Sequence, residues 1–194
     1  SQGCTGGAIQ DQASLTVTNS TFTQNTGWYG SALEQFQYGS FFTVENCTIT
    51  NNPIGPLPYP SGAVVQEEYY GETVATLADD IIYGNFGTPN GPSIDEDFNV
   101  LGDFPNYTIL YSDLDGNFPG NGNINLPPML SALGSYGGST QTFALLPGSP
   151  AIGAGTDIGL ELDQRGVSRQ QQGHTDMGAF ESQGFGITAT SGNN

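Results

Sequence analysis

The chain has 194 residues and a formal net charge of −17, because 19 residues are acidic, arginine occurs twice and lysine does not occur. A surface this acidic repels the phosphates of nucleic acids and of anionic lipids, which excludes both as partners. No apolar run is long enough to span a bilayer, and 29 glycines and 12 prolines indicate many turns and few helices.

Two stretches near the N-terminus repeat each other. Residues 15–25 read LTVTNSTFTQN and residues 42–52 read FTVENCTITNN. The aligned pairs are Val17 with Val44, Asn19 with Asn46, Phe22 with Ile49 and Asn25 with Asn52. A looser third copy covers residues 73–85, with Ile82 and Asn85 in register. A second element recurs between the copies, as GAI at 7–9, SAL at 31–33 and GAV at 62–64. A period of about 25 to 33 residues is typical of solenoids.

Within each copy, apolar residues alternate with threonine, asparagine or glutamate, which is the period of a strand. Leu15 and Val17 are expected on one face of the strand and the threonines on the other. A strand, a bend at asparagine, a second short strand and a glycine-rich turn would form one coil, and stacked coils bury a core that one coil cannot bury alone. The repeat therefore predicts an all-β parallel β-helix, with a β-sandwich as the alternative.

Two cysteines, Cys4 and Cys47, allow one disulfide, and their spacing matches no metal or redox motif. We interpret Cys47 as a small core residue in a strand and Cys4 as a turn residue. A disulfide between them is the alternative.

The acidic pair Asp79 and Asp80 is the kind of cluster with which polysaccharide hydrolases on β-helices carry out acid and base catalysis. The basic residues that such enzymes and the related lyases use are missing around it, because the chain has no lysine and both arginines lie near the C-terminus. The single histidine, His174, is weak as a zinc ligand by itself, although it stands near Asp176. We therefore predict that the chain is not an enzyme.

The repeat becomes irregular between residues 89 and 128, where we expect less regular coils. Asp113, Asp115 and Asn117 present oxygen atoms at alternate positions around a glycine, as calcium loops do. The distal acidic residue of an EF-hand is missing, and a solvated turn is the alternative interpretation. Calcium is thus the one cofactor that the sequence suggests, at Asp113, Asp115 and Asn117.

Residues 145–181 hold both arginines among several acidic residues. Apolar runs at 144–146 and 177–180 are each long enough for one strand. A guanidinium group binds carboxylates and carbonyls with two parallel hydrogen bonds and so pins irregular loops. The sequence therefore predicts a structural lock, formed by Arg165, Arg169, Asp163, Asp176 and Glu181.

The motifs LLPGSPAIGAG, DQRGVSR and DMGAFE in this stretch resemble the C-terminal signature of bacterial surface proteins of the polymorphic outer-membrane-protein-like, or choice-of-anchor, family. GSTQT at residues 138–142 and the upstream repeats extend the resemblance over most of the chain. The resemblance implies a right-handed parallel β-helix over residues 1–183 at the cell surface. The chain departs from the family pattern at Gly153, Phe143 and Met177.

Residues 184–194 lie beyond the closing motif and form a tail with strand alternation. Phe185, Ile187 and Ala189 share one face of this extended strand, and a free strand pairs readily with an open sheet edge. Because the chain begins in mid-pattern at Ser1, we expect it to be part of a longer protein. A linker to a further domain is the alternative interpretation of the tail.

We therefore predict a non-enzymatic, extracellular structural or adhesive surface protein, and a filament subunit whose copies join head to tail by strand addition. One alternative is a carbohydrate-binding module of a larger adhesin, because aromatic rings stack on sugars. The aromatic residues in or near loops are Trp28, Tyr29, Phe36, Tyr38, Tyr69 and Tyr70. A polysaccharide-degrading enzyme is the third and weakest hypothesis.

Overall fold

The structure is a computed structural model that describes residues 7–27, 29–36, 39–53, 62–67, 74–85, 98–101, 106–170 and 173–184. These residues form twelve short strands and no helix, so they include no helix that could cross a membrane. The strands are β1 (Ile9–Asp11), β2 (Leu15–Thr18), β3 (Thr21–Phe22), β4 (Gly30–Phe36), β5 (Phe41–Glu45), β6 (Thr48–Ile49), β7 (Gly62–Glu67), β8 (Val74–Ala78), β9 (Ile81–Ile82), β10 (Phe98–Leu101), β11 (Tyr107–Leu110) and β12 (Asp113–Leu114).

The strands make three parallel sheets of four strands each. The first sheet has the order β1-β4-β7-β10, the second β2-β5-β8-β11 and the third β3-β6-β9-β12. The chain therefore visits the three sheets in turn and then returns to the first sheet one layer further on. The predicted all-β architecture is confirmed, and the arrangement is consistent with a parallel β-helix.

The strand register agrees with the sequence repeats. Val17 lies opposite Val44, and Phe22 lies opposite Ile49, which in turn lies opposite Ile82. Between residues 89 and 128, where the sequence predicted strands of less regular coils, β10, β11 and β12 supply one strand to each sheet as a fourth layer. The repeat is hard to see there, because the number of residues between successive strands differs from layer to layer.

The main core lies between the three sheets. It is lined by Leu33 and Val64 from the first sheet, Phe42 and Leu77 from the second, and Ile49 and Ile82 from the third. Cys47 is buried in this core as a free thiol, which agrees with its interpretation as a small core residue, but it lies in the bend between β5 and β6 and not in a strand. Cys4 lies outside the described residues.

The bend after each strand of the second sheet uses a residue in the left-handed region. Asn19, Asn46 and Asp79 have φ values of 47°, 53° and 57°. Asparagine and aspartate tolerate this conformation better than other residues with a side chain, which explains why the repeat places them there. Tyr111 occupies the fourth such bend, with a φ of 47°.

A second row of asparagines connects the layers by hydrogen bonds. The side-chain oxygen of Asn52 accepts from the backbone N–H and the amide of Asn25, both at 3.0 Å. Asn52 in turn donates both its backbone N–H and its amide to Asn85 Oδ1, again at 3.0 Å. The predicted stacking of asparagine on asparagine is therefore confirmed for these three residues.

Residues 124–184 do not add further layers of long strands but pack over the outer face of the third sheet. A second apolar cluster forms there, from Ile81 of β9 together with Leu145, Ala151, Met177 and Phe180. Residues 177–180, predicted as a strand, form a bend instead, because Gly178 has a φ of +90°. A Cβ atom at Gly178 would lie 2.7 Å from both Ile81 Cδ1 and Thr48 Oγ1.

Candidate functional site

Both arginines of the predicted lock are buried in the C-terminal segment. Arg165 donates from Nε and Nη2 to Asp163 Oδ2, at 2.9 and 2.7 Å, and from Nη2 to the carbonyl of Glu181 at 2.6 Å. Its guanidinium carbon lies 3.6 Å from the centre of the Phe180 ring, and Nη1 donates to the carbonyl of Tyr136 at 3.2 Å. Arg165 thus joins three separate parts of the segment.

Arg169 is 1% exposed and makes contacts beyond its own segment. Its Nη2 donates to Gly178 O at 2.7 Å, and both Nε and Nη2 donate to Asn19 Oδ1, at 3.2 and 3.0 Å. Nη1 lies 3.7 Å from Glu181 Oε2. Arg169 therefore connects the C-terminal segment to the first layer of the sheets.

The three acidic residues of the lock accept hydrogen bonds from the backbone. Asp163 Oδ2 accepts from Glu181 N at 3.0 Å, and Glu181 Oε2 accepts from Asp176 N at 3.0 Å. The two oxygens of Asp176 accept from Gly153 N at 2.7 Å and from Ser182 N at 2.6 Å. The structure thus brings all five predicted lock residues into one network, in which charged groups satisfy the N–H groups of an irregular backbone.

Two contacts between the C-terminal segment and the sheets were not predicted from the sequence. One joins Arg169 to Asn19, and the other joins Gly178 to Asp79. Asn19 stands in a repeat whose asparagines were expected to contact each other, so nothing in its own stretch indicated a partner 150 residues away. Gly178 did carry a signal, because an isolated glycine in an apolar run marks a close backbone approach. Its N–H donates to Asp79 O at 2.6 Å.

Asp79 and Asp80 are fully buried. Asp79 Oδ1 accepts from Thr156 N at 2.8 Å, and Asp80 Oδ1 accepts from Cys47 N at 2.7 Å. Burial raises the pKa of Asp79 to about 7 and that of Asp80 well above its usual value. Each carboxyl group thus accepts a hydrogen bond from a backbone N–H, and neither is accessible to a polysaccharide from solvent.

The three residues of the calcium hypothesis differ in environment. Asp113 is buried on β12, and its Oδ1 accepts from Leu126 N at 3.1 Å, while Asn117 is exposed. Burial raises the pKa of Asp113 to about 7. Among the described residues, no group of three or more His, Cys, Asp or Glu side chains is placed to hold a metal ion.

An open cavity of about 350 Å³ lies beside the lock. Its walls include Ile152, His174, Asp176 and Glu181. His174 is exposed there, whereas Asp176 uses both carboxylate oxygens for backbone N–H groups. The cavity could receive a small polar ligand, and His174 and Gln183 are exposed side chains in its wall.

The two edges of the second and third sheets differ in whether the backbone of their outer strands is hydrogen-bonded. At the C-terminal end, Tyr111 N donates to Asn121 O at 2.8 Å and Leu114 N donates to Ile124 O at 3.1 Å. Asn123 Nδ2 also donates to Ile109 O at 2.9 Å. At the opposite end, β2 and β3 are edge strands, and among the described residues no backbone group pairs with their outer side.

Several residues of the sequence hypotheses lie outside the described residues. They are the tail residues Phe185, Ile187 and Ala189 and the aromatic residues Trp28, Tyr38, Tyr69 and Tyr70. Of the remaining aromatics, Tyr29 is half-buried and Phe36 is 37% exposed.

A scan against protein-family models, a search of the curated proteins and a search of the solved structures each gave no match for this chain. The resemblance to bacterial surface proteins therefore stands on its sequence motifs.

Proposed function

We propose that this chain is a non-enzymatic structural or adhesive protein of the bacterial cell surface, built as a right-handed parallel β-helix. Its copies join head to tail by strand addition and form a filament. The proposal includes membership of the surface-protein family that the motifs at residues 145–181 resemble.

The difference between the two ends of the sheets carries this proposal. Residues 121–124 pair with the last strands of the second and third sheets. The outer side of β2 and β3 meets no backbone partner among the described residues, and an open parallel edge is a template for another strand. Within the described residues the two edges of these sheets therefore differ, and head-to-tail addition requires such a direction.

The buried acids support a protein without catalytic activity. Asp79 and Asp80 each hold a backbone N–H, and both are fully buried. The two arginines, which an enzyme acting on acidic sugars would need near its substrate, are engaged in the lock. The net charge of −17 also opposes binding of an anionic polysaccharide.

Negative-stain electron microscopy together with light scattering on a sizing column tests the filament. We expect uniform fibres from the purified full chain. Deleting residues 185–194 should leave monomers. Monodisperse monomers of the full chain at every concentration would refute the filament function.

The cavity beside His174 favours a second candidate, a carbohydrate-binding module. Its volume of about 350 Å³ is in the range of ligand sites, and its walls combine Ile152 with polar side chains. Glycan-array binding that is lost in Trp28→Ala would place the site at the aromatic loops, and loss in His174→Ala would place it at the cavity. No binding to any glycan would exclude this candidate.

A further inference from the structure

Among the described residues, backbone N–H groups at defined positions on the outer edge of β2 meet no backbone partner. Asn19, just after β2, donates its N–H to the last residue of β5 at 3.1 Å. In a parallel ladder alternate residues direct both backbone groups to the same neighbour. Leu15 and Val17, in phase with Asn19, therefore face β5. Thr16 and Thr18 direct their N–H groups outward, where they meet no backbone partner among the described residues.

The four strands of the second sheet share one sequence pattern. They read LTVT at 15–18, FTVE at 42–45, ATLA at 75–78 and YTIL at 107–110, and the threonines in second place lie in register. The first and third residues point toward the core, where Val17, Phe42, Val44 and Leu77 are buried. An added strand that fits this sheet would have an apolar residue, then threonine, then an apolar residue.

The tail has this pattern, as ITAT at residues 187–190. We infer that residues 187–190 of one copy add as a parallel strand to the outer edge of β2 in a second copy, which rests on the filament function proposed above. Ile187 then lies over Leu15 and Ala189 over Val17, while Thr188 continues the row of threonines. Leu15 is half-buried and Val17 is 7% exposed, so the added strand covers the end of the apolar core.

The other end of the second sheet is a poorer acceptor. Tyr111 N is bonded to Asn121 O, and Ile109 O accepts from the amide of Asn123. A strand added to β11 would have to displace both hydrogen bonds. At the β2 edge, the N–H groups of Thr16 and Thr18 meet no backbone partner among the described residues, and only the Thr18 carbonyl is engaged, by Ser20 Oγ at 2.7 Å, so addition proceeds in one direction.

Full-length point variants test the two sides of the contact. Ile187→Asp puts a charge on the core face of the added strand, and Thr188→Asp puts the same charge on the outer face. Thr16→Pro removes an outward N–H of the acceptor edge, and Thr16→Val keeps it. Sedimentation and electron microscopy should show filaments for Thr188→Asp and Thr16→Val and monomers for Ile187→Asp and Thr16→Pro.

Mixing the two defective variants gives the decisive result. Ile187→Asp retains an intact acceptor edge and Thr16→Pro retains an intact tail, so a mixture should form a one-to-one dimer that grows no further. If Thr16→Pro fails to fold, as judged by circular dichroism, the pair Ile187→Asp and Thr188→Asp still decides, because both changes lie in the tail.

Three other outcomes separate this inference from the function on which it rests. Filaments from Ile187→Asp would overturn the register while the filament function stands. Monomers from the unmodified chain would overturn both. A lower melting temperature in both defective variants, without a dimer in the mixture, would show that the tail pairs with its own chain and would overturn the inference.

Discussion

Arg169 donates from Nη2 to the side-chain oxygen of Asn19 at 3.0 Å, although 150 residues separate the two in the sequence. Asn19 forms the first left-handed bend of the second sheet, with a φ of 47°. The same Nη2 donates to Gly178 O at 2.7 Å. One buried guanidinium therefore fastens the last segment of the fold to its first layer.

We expect Arg169→Ala to lower the free energy of unfolding by about 3–5 kcal/mol, because it leaves the buried oxygens of Asn19 and Gly178 without their donor and removes the guanidinium beside Glu181. Arg169→Lys should recover only part of this loss, since an ammonium group cannot reproduce the planar fork. Urea unfolding followed by circular dichroism measures both. Glu161→Gln, at an exposed position, is the control. An Arg169→Ala variant as stable as this control would contradict the role of the lock.

Gly178 and Gly166 form a matched pair for testing the close approach to the third sheet. Both have positive φ, 90° and 82°, but only a Cβ atom at Gly178 would collide with Ile81 and Thr48. Gly166→Ala should cost about 1–2 kcal/mol for its backbone conformation alone. Gly178→Ala should cost clearly more, measured by the same unfolding experiment. Equal losses would show that the segment shifts to make room for the methyl group.

Asn52 is the central member of the asparagine row and is fully buried. Asn52→Ala removes the acceptor of two donors on Asn25 and both donors to Phe22 O and Thr50 O. We expect a loss of about 1–3 kcal/mol in the free energy of unfolding. Asn117→Ala, at an exposed position, should change it by less than about 0.5 kcal/mol. Similar values for the two variants would contradict the importance of the row.

Stability should depend on pH in a direction set by the buried acids. Burial raises the pKa of Asp79 and of Asp113 to about 7, while the unfolded value is about 3.9. Between about pH 4 and pH 7 the folded state holds protons that the unfolded state has released, so these groups make stability highest below about pH 4 and lower as pH rises to about 7.

The double variant Asp79→Asn with Asp113→Asn tests this dependence, because amides of the same shape do not titrate. Urea midpoints from pH 4 to pH 8 should fall less steeply in the double variant than in the unmodified chain. Parallel profiles would show that other groups dominate the pH dependence.

Calcium offers a test at Asp113, Asp115 and Asn117. Because Asp113 is buried and bonded to Leu126 N, we expect added calcium to leave the melting temperature unchanged at neutral pH. A ligand that binds only the folded state would raise it as its concentration exceeds Kd. A calcium-dependent rise that Asp115→Asn abolishes would establish the site and refute this expectation.

The strands and their register could be predicted because their signals are local and repeated. Alternation with a period of two separates Val17 from Thr16, and the spacing of the copies places Val17 over Val44 and Phe22 over Ile49. The fourth layer was predicted only as strands of less regular coils, because the number of residues between successive strands differs from layer to layer. The clustering of charges predicted a network at residues 163–181, and the structure joins the five named residues there.

The sequence by itself thus determined the repeating part of this protein, namely which residues form strands, which face inward and where asparagine bends the chain. Only the tertiary structure decided that residues 124–184 lie over the third sheet, that Arg169 reaches Asn19, and that residues 121–124 pair with the last strands of the second and third sheets. The physical reason is that strand formation depends on neighbours in the chain and recurs in every layer. Each of these tertiary contacts occurs once, between segments with no common period, and depends on the three-dimensional fit of buried polar groups.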